Sequence, residues 1–343
     1  METPSAVNDE KRTSGLARMA ARLGRSGVVQ ILIGGGALVF IIANSDARRL
    51  VEAIKSTRIA YLPLAAAATL LVYWFMAYRW RVVLKVGGYS IRTSTLFKYN
   101  LIGCFFGNFV PGGAAIGDVS RLIYVDREVG DKAFALSTIA FEKLIGLFTV
   151  LFFGFGSTIA SHEILPEGRL IYYGEGILAL GFVASAALLS NYFSSLAARL
   201  IRAVGVRLSI RRVGDAAART LEAMSELRKN KLMVLKTAML SALVRVIWSL
   251  GFYVISLAMG LDVGLWLIFS LTSIVDLIRM LPVTINGIGL REWAMIGLFA
   301  NIGIEREKAL MFSFLAFAPL ILVALAGGLV YLSAARKART RRN

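Results

Sequence analysis

The residues best suited to chemistry in this chain are charged side chains set inside apolar sequence, and most gather at two interruptions. "VPGGAAIGDVSR", residues 110–121, holds Pro111, Gly112, Gly113, Gly117, Asp118 and Arg121, with Asn108 just ahead. "LPVTINGIGLRE", residues 281–292, holds Pro282, Asn286, Gly287, Gly289, Arg291 and Glu292, and follows Asp276 and Arg279. Glu142, Lys143 and Arg245 sit in or beside other apolar segments. Such a set suits anion recognition: a guanidinium presents a fork of donors that matches phosphate. Half-helices starting after Gly117 and Gly289 would add backbone N–H donors and the positive end of a dipole. Arg121 and Arg291 are the expected phosphate ligands, with the carboxylates balancing them or carrying a proton. The competing reading is local neutralisation, because Asp118/Arg121 and Asp276/Arg279 are each three apart and share a helix face. Glu142 and Lys143, being adjacent, point in different directions. For the Pro/Gly breaks the competing reading is a helix kink or close packing.

The setting is a membrane. Hydrophobic residues are 57% of the 343 and charged residues 17%, with a mean hydropathy of +0.69, a balance that marks a polytopic membrane protein. Cys104 and His162 are the only cysteine and histidine, so no intrachain disulfide forms and a Cys- or His-based metal site is not expected. No GxxxxGK[ST], GxSxG or HExxH motif occurs, which removes the simplest signatures of an ATPase, an α/β-hydrolase or a zinc protease. The net charge of +18 is not a nucleic-acid footprint. Its Lys and Arg residues cluster between apolar runs, as the positive-inside rule describes.

Runs of about 20 apolar residues predict full spans near 28–43, 59–78, 133–160, 170–190, 232–259 and 310–333. Two further regions, 95–122 and 264–303, carry the interruptions, and each arm is too short to cross easily. With the basic N-terminus inside, residues 79–98, 191–231 and 334–343 also fall inside, carrying five, nine and five basic residues. One loop dissents: 44–58 would be external yet holds Arg48, Arg49, Lys55 and Arg58. The hairpins then dip in from opposite sides, and their tips approach near the midplane. Non-helical backbone at membrane depth is tolerated where it is buried in protein or lines a watery cavity. Paired breaks in two halves point to an inverted repeat with a binding site at its interface. The predicted fold class is therefore an all-α integral membrane protein with six full spans and two opposed, broken re-entrant hairpins. Its parts are a basic cytoplasmic tail (1–27), a membrane domain (28–333) with a cytoplasmic loop (191–231), and a basic tail (334–343).

Other features read more plainly. Gly34, Gly35 and Gly36 sit in an ordinary apolar span and suggest a packing surface. Tyr73, Trp74, Phe75, Tyr78 and Trp80 lie where the second span meets basic residues, the position of an interfacial belt. In the segment 199–231, Leu221, Met224 and Leu227 recur at helical spacing, as in an amphipathic cytoplasmic helix. The first span reads as uncleaved, since the preceding region is long and lacks a clear A-x-A site.

Pro111-Gly112-Gly113, Gly117-Asp118, Arg121, Glu142, Pro282, Asn286, Gly287, Gly289 and Arg291-Glu292, in that order, resemble the lysylphosphatidylglycerol synthase transmembrane family. This flippase-like domain forms the membrane half of the multiple peptide resistance factors. The resemblance covers roughly 28–333. Two positions depart from it: Ala115-Ile116 replaces a second glycine, and Lys143 follows Glu142 where arginine is usual, keeping the charge but losing the planar fork. The resemblance implies movement of lipids or lipid-linked headgroups between leaflets. The bifunctional relatives carry a soluble aminoacyltransferase domain after the membrane region, for which this sequence leaves no room after its basic tail.

The expected function is that of a lipid flippase-like transporter rather than an enzyme, working in the inner or plasma membrane with both termini cytoplasmic. It needs no cofactor, metal or nucleic acid. Expected partners are lipids with an anionic or phosphate-bearing headgroup and an enzyme that makes the lipid; self-association is compatible with the sequence. The alternative is a membrane-embedded enzyme or accessory subunit acting on a lipid or polyprenyl phosphate, with Asp118, Glu142 or Glu292 as acid or base.

Overall fold

A computed structural model describes residues 24–160, 179–183, 220, 222–281 and 283–340, which are helical apart from short turns and include no strand. Helix α1 (Gly24–Ala43) is followed by α2 (Ala47–Lys55), bent 91° away from it. A 3-10 turn at Ile59–Tyr61 leads into α3 (Leu62–Val86), then α4 (Thr93–Phe109), α5 (Gly113–Val129) and α6 (Lys132–Ala160). After the region outside the described residues come α7 (Lys231–Ala258), α8 (Leu265–Met280), α9 (Leu290–Ala300) and α10 (Arg306–Thr340).

Four stretches among the described residues are long and apolar enough to cross a membrane: Ile59–Val86, Lys132–Ala160, Lys231–Ala258 and Arg306–Arg336. The bent α1–α2 pair would make a fifth. These correspond to expected spans at 59–78, 133–160, 232–259 and 310–333, and α1 to the one at 28–43. The sixth, 170–190, lies outside the described residues apart from 179–183. The dissenting basic loop is in large part helix α2. Asp46 caps it, accepting the Arg48 N–H at 2.8 Å, and Ala53 is buried on an element packed against α10. Arg48, Arg49 and Lys55 stay exposed beside Val51 and Ile54. A short amphipathic helix set across its predecessor suits an interface, so its charges do not report sidedness as those of a free loop would.

Two hairpins, α4/α5 and α8/α9, contain the interruptions. Arms of 17 residues rise about 25 Å, short of a hydrocarbon core of about 30 Å. At the first break Val110 is extended, then Gly112 and Gly113 take φ of 102° and 54°, a region that costs a glycine little. At the second, Leu281 is extended and Asn286 has φ 51°, the only positive φ of a non-glycine among the described residues. The arms of the first hairpin approach through small residues. A Cβ on Gly117 would fall on the Gly103 carbonyl oxygen, and Gly107 faces Gly113, the close crossing that Gly-x-x-x-Gly spacing permits.

The helix pairing is unchanged when α3–α6 is exchanged with α7–α10. Helix α3 packs on α7, α4 on α10, α8 on α6, α5 on α6 as α9 on α10, and α3 on α4 as α7 on α8. Helices α3 and α7 run antiparallel: the Arg58 N–H, just ahead of α3, donates to Ala258 O at the end of α7 at 2.7 Å, and Arg79 Nη1, late in α3, donates to Ser241 Oγ in the first half of α7 at 2.7 Å. The two halves thus pair their helices equivalently, with the corresponding helices α3 and α7 opposed in direction. Helix α1 stands outside them and touches both breaks. Gln30 Oε1 accepts the Gly112 N–H at 3.0 Å, and a Cβ on Gly34 would lie 3.0 Å from Ile288 O. Gly35 and Gly36 face open space, so of the three glycines expected to pack only Gly34 does. Within 222–229, Met224 and Leu227 are buried with Val83, Phe141 and Ile145; Leu221 lies outside the described residues.

Candidate functional site: a cationic cavity between the hairpin tips

The two tips meet. Asn286 Nδ2 donates to Asn108 Oδ1, and the Asn286 backbone N lies 3.6 Å from where a Gly113 Cβ would stand. Beside this seam is a cavity of about 320 Å³, walled by α3, both hairpins, α6, α7 and one residue of α10. This is the size of a small ligand pocket.

One wall is built on Glu142, whose side chain is 1% exposed. Its Oε1 accepts from Arg79 Nε at 3.1 Å and its Oε2 from Arg121 Nη2 at 2.7 Å. Arg121 also pairs with Asp118 at 3.4 Å, one helical turn away, and its guanidinium lies 4.3 Å over the Trp80 ring. Lys143 turns from Glu142 to pair with Asp118. The other wall is built on Asp276, which pairs with Arg245 through Oδ2 and with Arg279 Nη1 at 3.0 Å through Oδ1. Arg245 Nη2 further donates to Thr272 Oγ1 at 2.6 Å and Ser273 Oγ at 2.8 Å. Arg279 Nε donates to Asn286 Oδ1 at 3.0 Å, tying this wall to the seam. Buried ions survive only with partners of this kind.

Of the residues singled out in the sequence, Asn108, Gly117, Asp118, Arg121, Glu142, Lys143, Arg245, Asp276, Arg279 and Asn286 line the cavity. Pro111, Gly112, Gly113, Gly287 and Gly289 form the breaks without lining it, and Pro282 lies outside the described residues. Arg291 and Glu292 are not on its wall either. Glu292 accepts the Gly289 N–H at 2.7 Å, capping α9, and pairs with Arg291 at 2.6 Å, while Ser313 Oγ donates to it at 3.1 Å. Arg291 lies 3.9 Å over Phe317, a ring that Arg279 also approaches at 5.2 Å. The expected local pairs Asp118–Arg121 and Asp276–Arg279 are present, and each belongs to a larger network.

Arg79 is the main residue that sequence reasoning missed. Counted among the loop charges after a span ending at 78, it is 6% exposed within α3, which runs on to Val86. The signal was available: Arg79 follows buried Ala65 and Val72 at steps of seven, hence on one helix face. The aromatic belt is corrected in the same way. Trp74 and Tyr78 are exposed, but Trp80 is fully buried with its indole N–H donating to Thr138 Oγ1 at 3.0 Å, and Tyr73 lines the cavity. Asn100 and Ser241 also line it, and nothing in their sequence surroundings marks them.

A family model described as the lysylphosphatidylglycerol synthase TM region matches residues 27–338. A "UPF0104 membrane protein" of Methanothermobacter thermautotrophicus is 21% identical over 302 residues, covering 81% of this chain and 86% of that protein. One of Methanocaldococcus jannaschii is 27% identical over 117 residues, 34% of this chain and about a third of that protein's length. No solved structure matches.

Proposed function

The chain belongs to the lysylphosphatidylglycerol synthase transmembrane family, and on that footing we propose that it moves a phospholipid or lipid-linked phosphate headgroup between leaflets. The observation that carries the reading is the cavity at the seam of an inverted repeat, where Arg79, Arg121, Lys143, Arg245 and Arg279 converge inside apolar helices. Ionisable groups cost about 2.5–3.5 kcal/mol each to insert at mid-membrane, and phosphate is a ligand that repays their convergence. The hairpins dip in from opposite faces, and both termini lie on the cytoplasmic side of the inner or plasma membrane. A headgroup enters beside Arg121, exchanges the carboxylate contacts of the arginines for its own oxygens, and leaves toward the other leaflet as the halves α3–α6 and α7–α10 rock about their shared α3–α7 contact. Arg291 holds the second hairpin in shape through Glu292 and Phe317. A separate enzyme supplies the lipid.

The test is leaflet transfer in sealed liposomes, with an acyl-labelled phospholipid in both leaflets and dithionite bleaching the outer one. The wild-type chain should expose most of the label. Arg121→Ala should leave only the outer half bleached while inserting normally. Equal transfer by Arg121→Ala sinks the proposal.

A further inference from the structure

The cavity's charge inventory narrows the ligand. Resting on the transport reading above, we propose that the headgroup it takes is a phosphate monoester carrying two negative charges, in preference to a phosphodiester or a zwitterion. On the first wall Arg79, Arg121 and Lys143 face Asp118 and Glu142, leaving one positive charge uncompensated among the lining residues. On the second wall Arg245 and Arg279 share Asp276, which again leaves one. The two excess charges come from opposite halves of the repeat and face one shared cavity.

Unfilled hydrogen-bond positions fall on both walls as well. Arg121 Nε and Arg245 Nε have no partner among the described residues, and neither do Asn100 Nδ2 and Oδ1. Arg245 and Asn100 are 3% and 2% exposed. Buried polar atoms are paired as a rule, and exceptions call for an explanation such as a missing ligand. A monoester is close to dianionic at neutral pH and offers three unesterified oxygens, enough to accept from an arginine on each wall and from the Asn100 amide. A phosphodiester carries one charge and two free oxygens, so one wall stays uncompensated. An ammonium-bearing headgroup brings a cation among five others. The phosphate could also be free in solution, and the apolar helices around the cavity favour the lipid-borne source.

Two tryptophans make the site self-reporting: Trp80 lies under Arg121 and Trp248 lies 5.6 Å from Arg279. The three others, Trp74, Trp266 and Trp293, are exposed and are replaced by phenylalanine to isolate the signal. Purified protein in neutral detergent is titrated at pH 7.5 with phosphatidic acid, phosphatidylglycerol or inorganic phosphate. Phosphatidic acid should reach half-maximal response at a mole fraction about tenfold or more below phosphatidylglycerol, the scale of one additional charged hydrogen bond. Inorganic phosphate should give no response in the same range. Lys143→Gln, at a half-exposed position, removes one excess charge and should collapse that preference. Equal response to the two lipids, a preference for phosphatidylglycerol, silence to both, or a preference untouched by Lys143→Gln overturns the assignment. Displacement of phosphatidic acid by inorganic phosphate at equal concentration assigns the site to the free ion and overturns it too. Because the readout is binding, leaflet transfer of phosphatidylglycerol alongside any of these results keeps the transport reading and removes only the monoester.

Discussion

At the residue scale, Glu142 concentrates the electrostatics of the first wall. It is buried between Arg79 and Arg121, and each guanidinium takes a separate carboxylate oxygen. Removing one partner of a buried ionic group leaves the others uncompensated, at a cost of about 3–5 kcal/mol. Glu142→Gln should therefore lower thermal stability by an amount of that order. Lys143→Gln, whose side chain is 45% exposed, should stay within about 1 kcal/mol. Thermal unfolding of both variants in detergent separates the two effects, and a Glu142→Gln variant as stable as wild type would refute the central place given to this carboxylate. Asp118, Arg121 and Glu142 were legible because a charge within apolar sequence stands out. Arg79 was not, because it abuts a basic loop and only the continuing helix of α3 takes it inside.

At the element scale, the hairpins depend on backbone contact that no side chain can replace. Gly117 lies against the Gly103 carbonyl, and on α10 a Cβ at Gly327 would collide with the Leu101 carbonyl. Overpacking at such a crossing costs about 1–3 kcal/mol. Gly117→Ala should shift the unfolding midpoint down accordingly, whereas Gly35→Ala, which meets nothing within 4 Å, should be neutral or slightly stabilising. Size-exclusion profiles after heating will rank the two, and the reverse order would contradict the crossing. Proline and glycine made the breaks visible in sequence. The right-angled α2 is harder to see, because its nine residues are too short and too charged for an apolar run, and only the helical spacing of Leu50, Ala53 and Ile54 marks it.

At the scale of the whole molecule, the proposed rocking would part the halves at the seam between the tips, where the Asn286 amide donates to Asn108. In a Cys104→Ser background, which removes the single native cysteine, the pair Asn108→Cys and Asn286→Cys replaces the residues that touch across it. Oxidation should arrest leaflet transfer and reduction should restore it. Full transfer by quantitatively cross-linked protein would exclude parting of the tips.

The membrane class, the helical fold, the two breaks and most of the ionisable residues at the cavity could be read from residue order, because hydropathy, chain-breaking residues and buried charge are local properties. Beyond the pairs one helical turn apart, Asp118–Arg121 and Asp276–Arg279, the partners of those charges could not. Lys143 passes over its neighbour Glu142 for Asp118, Glu142 reaches back to Arg79, and Arg291 serves its own hairpin rather than the cavity. Those choices follow from which helix faces meet inside each half, α5 and α3 against α6 in the first. Arg79 and Glu142 lie 63 residues apart in the chain, and spacing along the sequence is no guide to a pairing made between separate helices.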